Sequence, residues 1–216
     1  MTNIKISIIS DTVCPWCYVG HRNMLIAQKQ WQQTHPADTF SIRYEPYQLM
    51  PEMSKVSVDK GDFYRQKFPD QARFAMMRDR LFAIGRNVGL NFSMGGRVGN
   101  SRDSHRLIHL AQRLGTDVGI KTVEGIFAAY HEQERDIADV EVLRDIAKQS
   151  GVPEEEFQKK IIDSDGEGAE VDKAVLQARY MGITGVPFFT IQDRHHLSGG
   201  QPPEEFLAIF NKIKSE

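Results

Sequence analysis

SIISDTVCPWCYVG (residues 7–20) carries an apolar run into two cysteines two residues apart, the only cysteines of the chain. Upstream, Ile4, Ile6, Ile8 and Ile9 are closely spaced and β-branched, which predicts a buried strand over 4–10. Pro15 suits the first turn of a helix, where its missing N–H is no loss. That helix is predicted to run through Tyr18, Met24, Leu25 and Ala27 to about Trp31, stopping before His35-Pro36. FSIRYEPY (40–47) alternates apolar and polar residues and reads as a second strand. Strand, helix and strand in that order predict a right-handed crossover and a parallel pair.

Further along, from about Gly61 to Gly182, the pattern is helical with little strand character. DFYRQKFPDQARFAMMRDRLFAIGRNVG (62–89) places Phe74, Met77, Leu81, Ile84 and Val88 three and four apart. A Gly-rich loop, NFSMGGRVGNS (91–101), follows, and Ser101 is a candidate N-cap for a helix ended by Gly115. Amphipathic segments over 118–131 and 139–149 come next, then a helix start at Pro153 with three glutamates, then a helix over 167–181. Strand character returns in VPFFTIQ (186–192) and HHLSG (195–199), read as a hairpin turning at Asp193-Arg194. Pro202-Pro203 opens a terminal helix. No repeat and no low-complexity segment is present.

Composition narrows the function classes. Apolar residues make up 40% and charged residues 26%, with a formal net charge of −2. That balance gives no electrostatic case for nucleic acid or an anionic membrane. No stretch is long and apolar enough to span a bilayer. The start, MTNIKISIIS, lacks the basic and apolar regions of a secretory signal, so the expected compartment is the cytoplasm. Thiols stay reduced there, which argues against a purely structural disulfide.

Three readings compete for Cys14 and Cys17. Two ordinary thiols would behave as small buried hydrophobes. A zinc site would need more ligands, for which His105 and His109 are spaced i, i+4, but they lie far downstream of the cysteines. No metal is therefore expected. The third reading is redox chemistry. A thiolate at Cys14 would face the unpaired N–H groups of the first helical turn and the positive end of its dipole. Cys17 lies one turn further in, at the i, i+3 spacing of a disulfide. Cys14 is then the exposed attacking thiol and Cys17 the buried resolving one. A C-x-x-C between a strand and a helix in a cytosolic chain is the thioredoxin-type pattern. Pro187 stands at the start of the third strand, where proline is tolerated at an edge or a first position.

SDTVCPWCYVG, GITGVPFF and SGGQPPEEFL, with a helical block between them and NSRDSHRLIHLA (100–111) inside it, resemble the DsbA-like thioredoxin-fold oxidoreductases, most of all the FrnE-type branch without a secretory signal. The resemblance covers essentially the whole chain. It implies an α/β thioredoxin fold with a large α-helical insertion between the second and third strands. The corresponding division is a discontinuous thioredoxin-like domain over 1–55 and 167–216, with an insertion domain over 56–166. It also implies Cys14 as nucleophile, Cys17 as resolving thiol, and a cis Val186–Pro187 pair beside them. Pro15, Trp16, Val186 and Pro187 are then the residues that touch substrate. One departure is the pair Pro15-Trp16 between the cysteines, where periplasmic relatives have a histidine that helps make them strongly oxidising.

Asp11 could oppose a thiolate at Cys14 or accept loop N–H groups, and Glu45 is a second candidate acid beneath the site. Met50, Met53, Phe92 and Met94 are candidates for an apolar border, and Asn100 and Ser101 for polar contacts. The implied activity is thiol–disulfide exchange on a protein or small molecule, with no cofactor beyond the cysteine pair and glutathione as a candidate redox partner. The alternatives are a glutathione-dependent transferase or isomerase of the kappa or chromene-carboxylate type, and a redox-inert binding module. Those enzymes typically carry serine where Cys14 stands. Oligomeric state is not readable from the sequence.

Overall fold

In the computed structural model, which describes residues 1–215, the β-branched run forms β1 (Asn3–Ser10), the second strand of a four-stranded sheet ordered β2-β1-β5-β6. β2 (Thr39–Pro46) runs parallel to β1, with Ile4 opposite Phe40 and Ile8 opposite Tyr44. β5 (Phe188–Ile191) and β6 (His195–Ser198) add antiparallel, with Phe189 opposite both Ile8 and Leu197. Between β1 and β2 runs α1 (Pro15–Thr34). It ends at Thr34, two residues before Pro36, where Trp31 stacks on His35 at 3.8 Å and donates to Asp38 at 3.2 Å.

Alternation along β1 assigns its two faces. Ile4, Ile6 and Ile8 are buried in the main core with Tyr18, Met24 and Trp31 of α1 and with Phe206 and Phe210 of the terminal helix α9 (Pro203–Ser215). Ile9 packs instead with Tyr47 and with Ala178 of α8 (Gly168–Tyr180). Helices thus cover both faces, and β1 reaches Cys14 from inside the sheet.

The insertion between β2 and β5 begins with a feature the periodicity did not carry. A two-residue strand β3 (Val58–Asp59) pairs antiparallel with β4 (Arg97–Val98). The predicted helix over 62–89 is two helices, α2 (Lys60–Lys67) and α3 (Gln71–Asn87), broken at Pro69. Asp59 caps α2 at Asp62 N (2.8 Å), and Asp70 caps α3 at Arg73 N (2.9 Å). The apolar stripe on α3 is also shallower than its spacing implies. Leu81 is buried, Phe74, Ile84 and Val88 are half-buried, and Met77 is exposed.

α4 (Arg102–Leu114), α5 (Thr116–His131) and α6 (Val140–Ser150) then form a packed block against β2. α7 (Glu154–Phe157) widens into a π-turn over Gln158–Ile162, which sequence did not announce. Wide turns leave carbonyls without helical partners. The buried Arg106 of α4 supplies donors to the carbonyls of Lys160, Ser164 and Gly166 at 2.7–3.0 Å. The last hairpin turns over Gln192–Arg194, and Gln192 and Asp193 take positive φ. The whole is an α/β thioredoxin fold with a large helical insertion.

Candidate active site

β1 ends at Ser10, and four residues later Cys14 occupies the N-cap of α1, with extended φ/ψ of −90° and 113°. Pro15 takes the first helical position, and Cys14 O receives the N–H of Cys17 at 3.1 Å. Both thiols are free. Cys17 is 1% exposed and Cys14 6%, so the attacking candidate is not the open thiol expected at a helix mouth. The reason is the strand opposite. Cys14 Sγ donates to Val186 O at 3.6 Å, and the Val186–Pro187 peptide bond is cis. The Cys17 thiol is pushed well up, first by burial and then by the adjacent Cys14 sulfur, while Ser10 and the Asp11 backbone pull it down. Trp16 is 38% exposed on the outer side of the turn.

The cis-proline segment approaches α1 closely at Gly20. A Cβ there would come within 2.9 Å of Pro187 Cγ and 3.1 Å of Phe189 Cζ. Glycine at this helical position lets the proline lie against the helix that carries both thiols.

The three residues before Cys14 are held by the insertion. Asp11 is fully buried; its carboxylate accepts from Leu49 N at 2.7 Å and faces His105 Nε2 at 3.3 Å. It therefore serves the loop and α4. Thr12 Oγ1 meets Ser104 Oγ at 2.8 Å, and the Thr12 carbonyl accepts from His131 Nε2 at 3.0 Å. Burial, then the nearby Lys60 ammonium, push His131 down to about 3, which keeps it neutral. Ser104 and His105 of the stretch NSRDSHRLIHLA thus hold the turn to Cys14.

Asn100 is likewise structural. Its amide donates to Pro51 O and Met53 O at 3.0 and 2.8 Å, and its oxygen accepts from Gln48 Nε2 and Arg102 N, both at 2.9 Å. Its hydrogen-bonding groups are engaged within the protein. Ser101 stands at the N-cap of α4 but makes no side-chain cap bond; Asn100 performs that task. Glu45 does not lie beneath the thiols. It pairs with Arg43 at 2.6 Å on the sheet face opposite α1, near α8. Met50 and Met53 pack half-buried against the core. His105 and His109 face separate carboxylates, Asp11 and Glu167.

Phe92 and Met94 lie near the cysteine turn. With Pro15 they line a narrow crevice completed by Lys60, Tyr64, Leu81, Phe82, Ser93, Tyr130 and His131. Tyr64 is close enough that Cys14, after burial, raises its phenol. Glu132 positions this wall. It accepts from Tyr18 OH at 2.5 Å with one oxygen and from Asn91 N at 3.1 Å with the other. Lys60, Tyr64, Tyr130 and His131 escaped sequence reasoning because they sit on two helices far apart in the chain. The i, i+4 spacing of Lys60 and Tyr64 on a capped helix was the one local signal that they share a face.

Comparison with known proteins places this geometry. A DSBA-like thioredoxin domain model matches residues 5–211. A probable DsbA oxidoreductase from Streptomyces coelicolor is 26% identical, covering 99% of this chain and 91% of its own, with a TM-score of 0.86. The cytosolic disulfide reductase DsbM of Pseudomonas aeruginosa, solved with GSH, is 18% identical over 98% of this chain and 100% of its own, TM-score 0.67. A 2-hydroxychromene-2-carboxylate isomerase is 14% identical over 98% of this chain and 95% of its own, TM-score 0.66; at such identities likeness extends to the fold. YwbO of Bacillus subtilis, an uncharacterized protein, is 21% identical over 88% of each chain. By the extent of the match and by its fold, the chain belongs to the DSBA-like thioredoxin domain family.

Proposed function

We propose that the protein is a thiol–disulfide oxidoreductase in which Cys14 is the nucleophile and Cys17 the resolving thiol. The observation that carries the reading is the seat of the pair: Cys14 at the N-cap of α1 against Val186 O, with Cys17 one turn behind it. The Cys14 thiolate attacks one sulfur of a substrate disulfide, whose S–S bond breaks and releases a thiolate. Cys17 then gives up its proton and attacks Cys14 Sγ. The mixed disulfide breaks, the second product thiolate leaves, and Cys14–Cys17 is oxidised by two electrons. A small thiol, glutathione among them, returns those electrons. Run in reverse, the same steps oxidise a dithiol.

The burial of Cys17 supports this division of labour. Burial first, and then the neighbouring Cys14 sulfur, raise its pKa, so it stays protonated while Cys14 attacks. Trp16, exposed beside the thiols, and the Val186–Pro187 edge would receive the substrate. Among the described residues no helix is long and apolar enough to cross a membrane. We place the enzyme in the cytoplasm, where a thiol pool can serve as electron donor.

Thiol titration tests the reading directly. Mild reduction of the oxidised protein should expose two thiols per chain, and the reduced protein should catalyse insulin reduction that Cys14→Ser abolishes. Glutathione conjugation surviving in Cys17→Ser, with no insulin reduction by the native protein, would favour the transferase or isomerase class instead.

A further inference from the structure

At the corner between α2 and α3 the insertion leaves apolar side chains uncovered. Phe68, Pro69, Phe74 and Met77 floor an open groove of about 330 Å³, with Lys67 and Arg73 at its rim. That volume lies within the range of binding clefts. Met77 is 52% exposed and Met76 beside it 68%. Methionine, flexible and polarisable, adapts its shape to whatever packs on it. The floor also continues toward the thiols. Phe74 stacks on Phe68 at 4.9 Å and on Tyr64 at 5.6 Å, and Tyr64 lines the crevice beside Pro15. Tyr64 and Phe68 are one helical turn apart, about 6 Å along α2.

Charge selects what can sit there. Over residues 60–86 seven cations stand against three acids, in a chain whose net charge is −2. Those acids are engaged: Asp62 with Arg65, Asp79 with Arg78, and Asp70 with the Arg73 N–H at 2.9 Å. Among the described residues, the guanidinium groups of Arg73 and Arg80 meet no acid. Lys67 reaches only the Met50 thioether at 3.5 Å and the Phe63 ring at 5.3 Å. Arg73, Met77 and Arg80 share one exposed stripe of α3 through their i, i+4, i+7 spacing. A second copy of the chain would set these cations against themselves across a two-fold axis, which like charges oppose. A flat bilayer would touch Met76 and Met77 but miss the half-buried Phe68 and Phe74. An acidic chain with a projecting apolar side chain meets both the rim and the floor.

We propose that the α2–α3 groove docks an acidic segment of a protein client, one apolar side chain of which rests on Phe68, Phe74 and Met77 while its carboxylates face Arg73, Arg80 and Lys67. The client role rests on the oxidoreductase reading; the docking itself does not. A client held here keeps a nearby disulfide within a few extended residues of Cys14. Its attack on that disulfide then becomes an encounter within one complex, at a raised effective concentration. Docking adds no step to the exchange chemistry given above.

Fluorescence anisotropy with three short labelled peptides tests the docking on the intact, reduced protein. One carries a Leu-Phe pair among glutamates, the second has lysines for the glutamates, and the third has Ser-Gly for Leu-Phe. The first should bind, and the other two about tenfold more weakly or less tightly still. Met77→Glu puts a charge on the floor and should weaken the first peptide about tenfold. Arg73→Glu reverses a rim charge and should weaken it about threefold. Lys29→Glu alters an exposed cation of α1 and should leave binding in place. Equal binding of the acidic and basic peptides, or binding that neither groove variant weakens, would overturn the site. Competition by phosphatidylserine vesicles would make a lipid surface the occupant and overturn the protein client. The groove side chains replaced are exposed, and far-UV spectra report whether each variant keeps the fold. A two-cysteine peptide disulfide with the acidic tail attached a few residues away tests the client role. Its kcat/KM should exceed that of the untailed peptide severalfold, a gain lost in Met77→Glu. A tail that binds without raising kcat/KM would overturn the client role. Reduction of neither disulfide peptide would overturn the oxidoreductase reading and leave the anisotropy result standing by itself.

Discussion

The two sulfurs differ in what surrounds them more than in how far they are from water. Both are buried, and burial and then the neighbouring Cys14 push the Cys17 thiol well up. Iodoacetamide at pH 7.5 should therefore label Cys14 first, read by peptide mass mapping, and Cys17 should resist until well above its ordinary range. Labelling of Cys17 ahead of Cys14 would reverse the assigned roles. His131 gives a second residue-level outcome. Its folded value of about 3 lies below the unfolded value near 6.5, so the unfolded chain binds the proton first. Its contribution is complete above pH 6.5 and is lost as pH falls toward 3, at most about 1.4 kcal/mol per pH unit. His21, buried and also lowered, acts in the same sense. In urea titrations between pH 7 and pH 4, His131→Gln, which keeps an N–H donor, should lose stability less steeply than the native protein.

At the scale of elements, α1 and the proline segment meet closely at Gly20. Replacing Gly20 by alanine gains about 0.8–1.0 kcal/mol of helix propensity. The same methyl group would press on Pro187 and Phe189, and overpacking of this kind costs about 1–3 kcal/mol. The expected result is a net loss of up to about 2 kcal/mol in urea melts with a several-fold drop in insulin reduction. A more stable variant with full activity would show the contact to be slack. These elements were also where sequence reasoning stood on firmest ground. Strand 4–10, the proline-opened helix and the returning hairpin each carry a local signature, either alternation or a turn residue. The split at Pro69 was equally written in the chain, since proline removes a helical donor, but the apolar spacing across it concealed the break. The π-turn at 158–162 has no such signature, because its carbonyls are satisfied by Arg106 from a helix more than fifty residues earlier.

Over the whole molecule, one core joins the sheet to the insertion. Ile8, Tyr18 and Phe210 belong to the same apolar cluster as Leu107, Phe127, Leu143 and Phe157. Unfolding should accordingly be a single transition. Fluorescence reports the first part of the chain, where both tryptophans lie, and far-UV circular dichroism is dominated by the insertion helices. The two urea curves should coincide; separated midpoints would reveal two units that melt independently. Such long-range packing also explains why the site was half legible. Cys14, Cys17 and Pro187 come from segments with their own sequence patterns. Asp11 and Asn100 could be named but not assigned, since their partners Leu49, His105, Pro51 and Met53 are fixed only by the fold. Lys60 and Tyr130 carry no mark in one dimension of being buried side by side.

Glu132 links the thiol helix to the crevice wall, gripping Tyr18 with one oxygen and the backbone at Asn91 with the other. For anyone wishing to retarget the enzyme, loop 91–94 is therefore not a free cassette. A loop borrowed from a relative would arrive without its clamp and settle differently beside Pro15. Transplanting Tyr18, Glu132 and the loop as one unit would preserve that placement. Diversity introduced at Phe92 and Met94 alone, with the clamp left in place, would then vary the lining of the crevice while the helix that carries both thiols stays where it is.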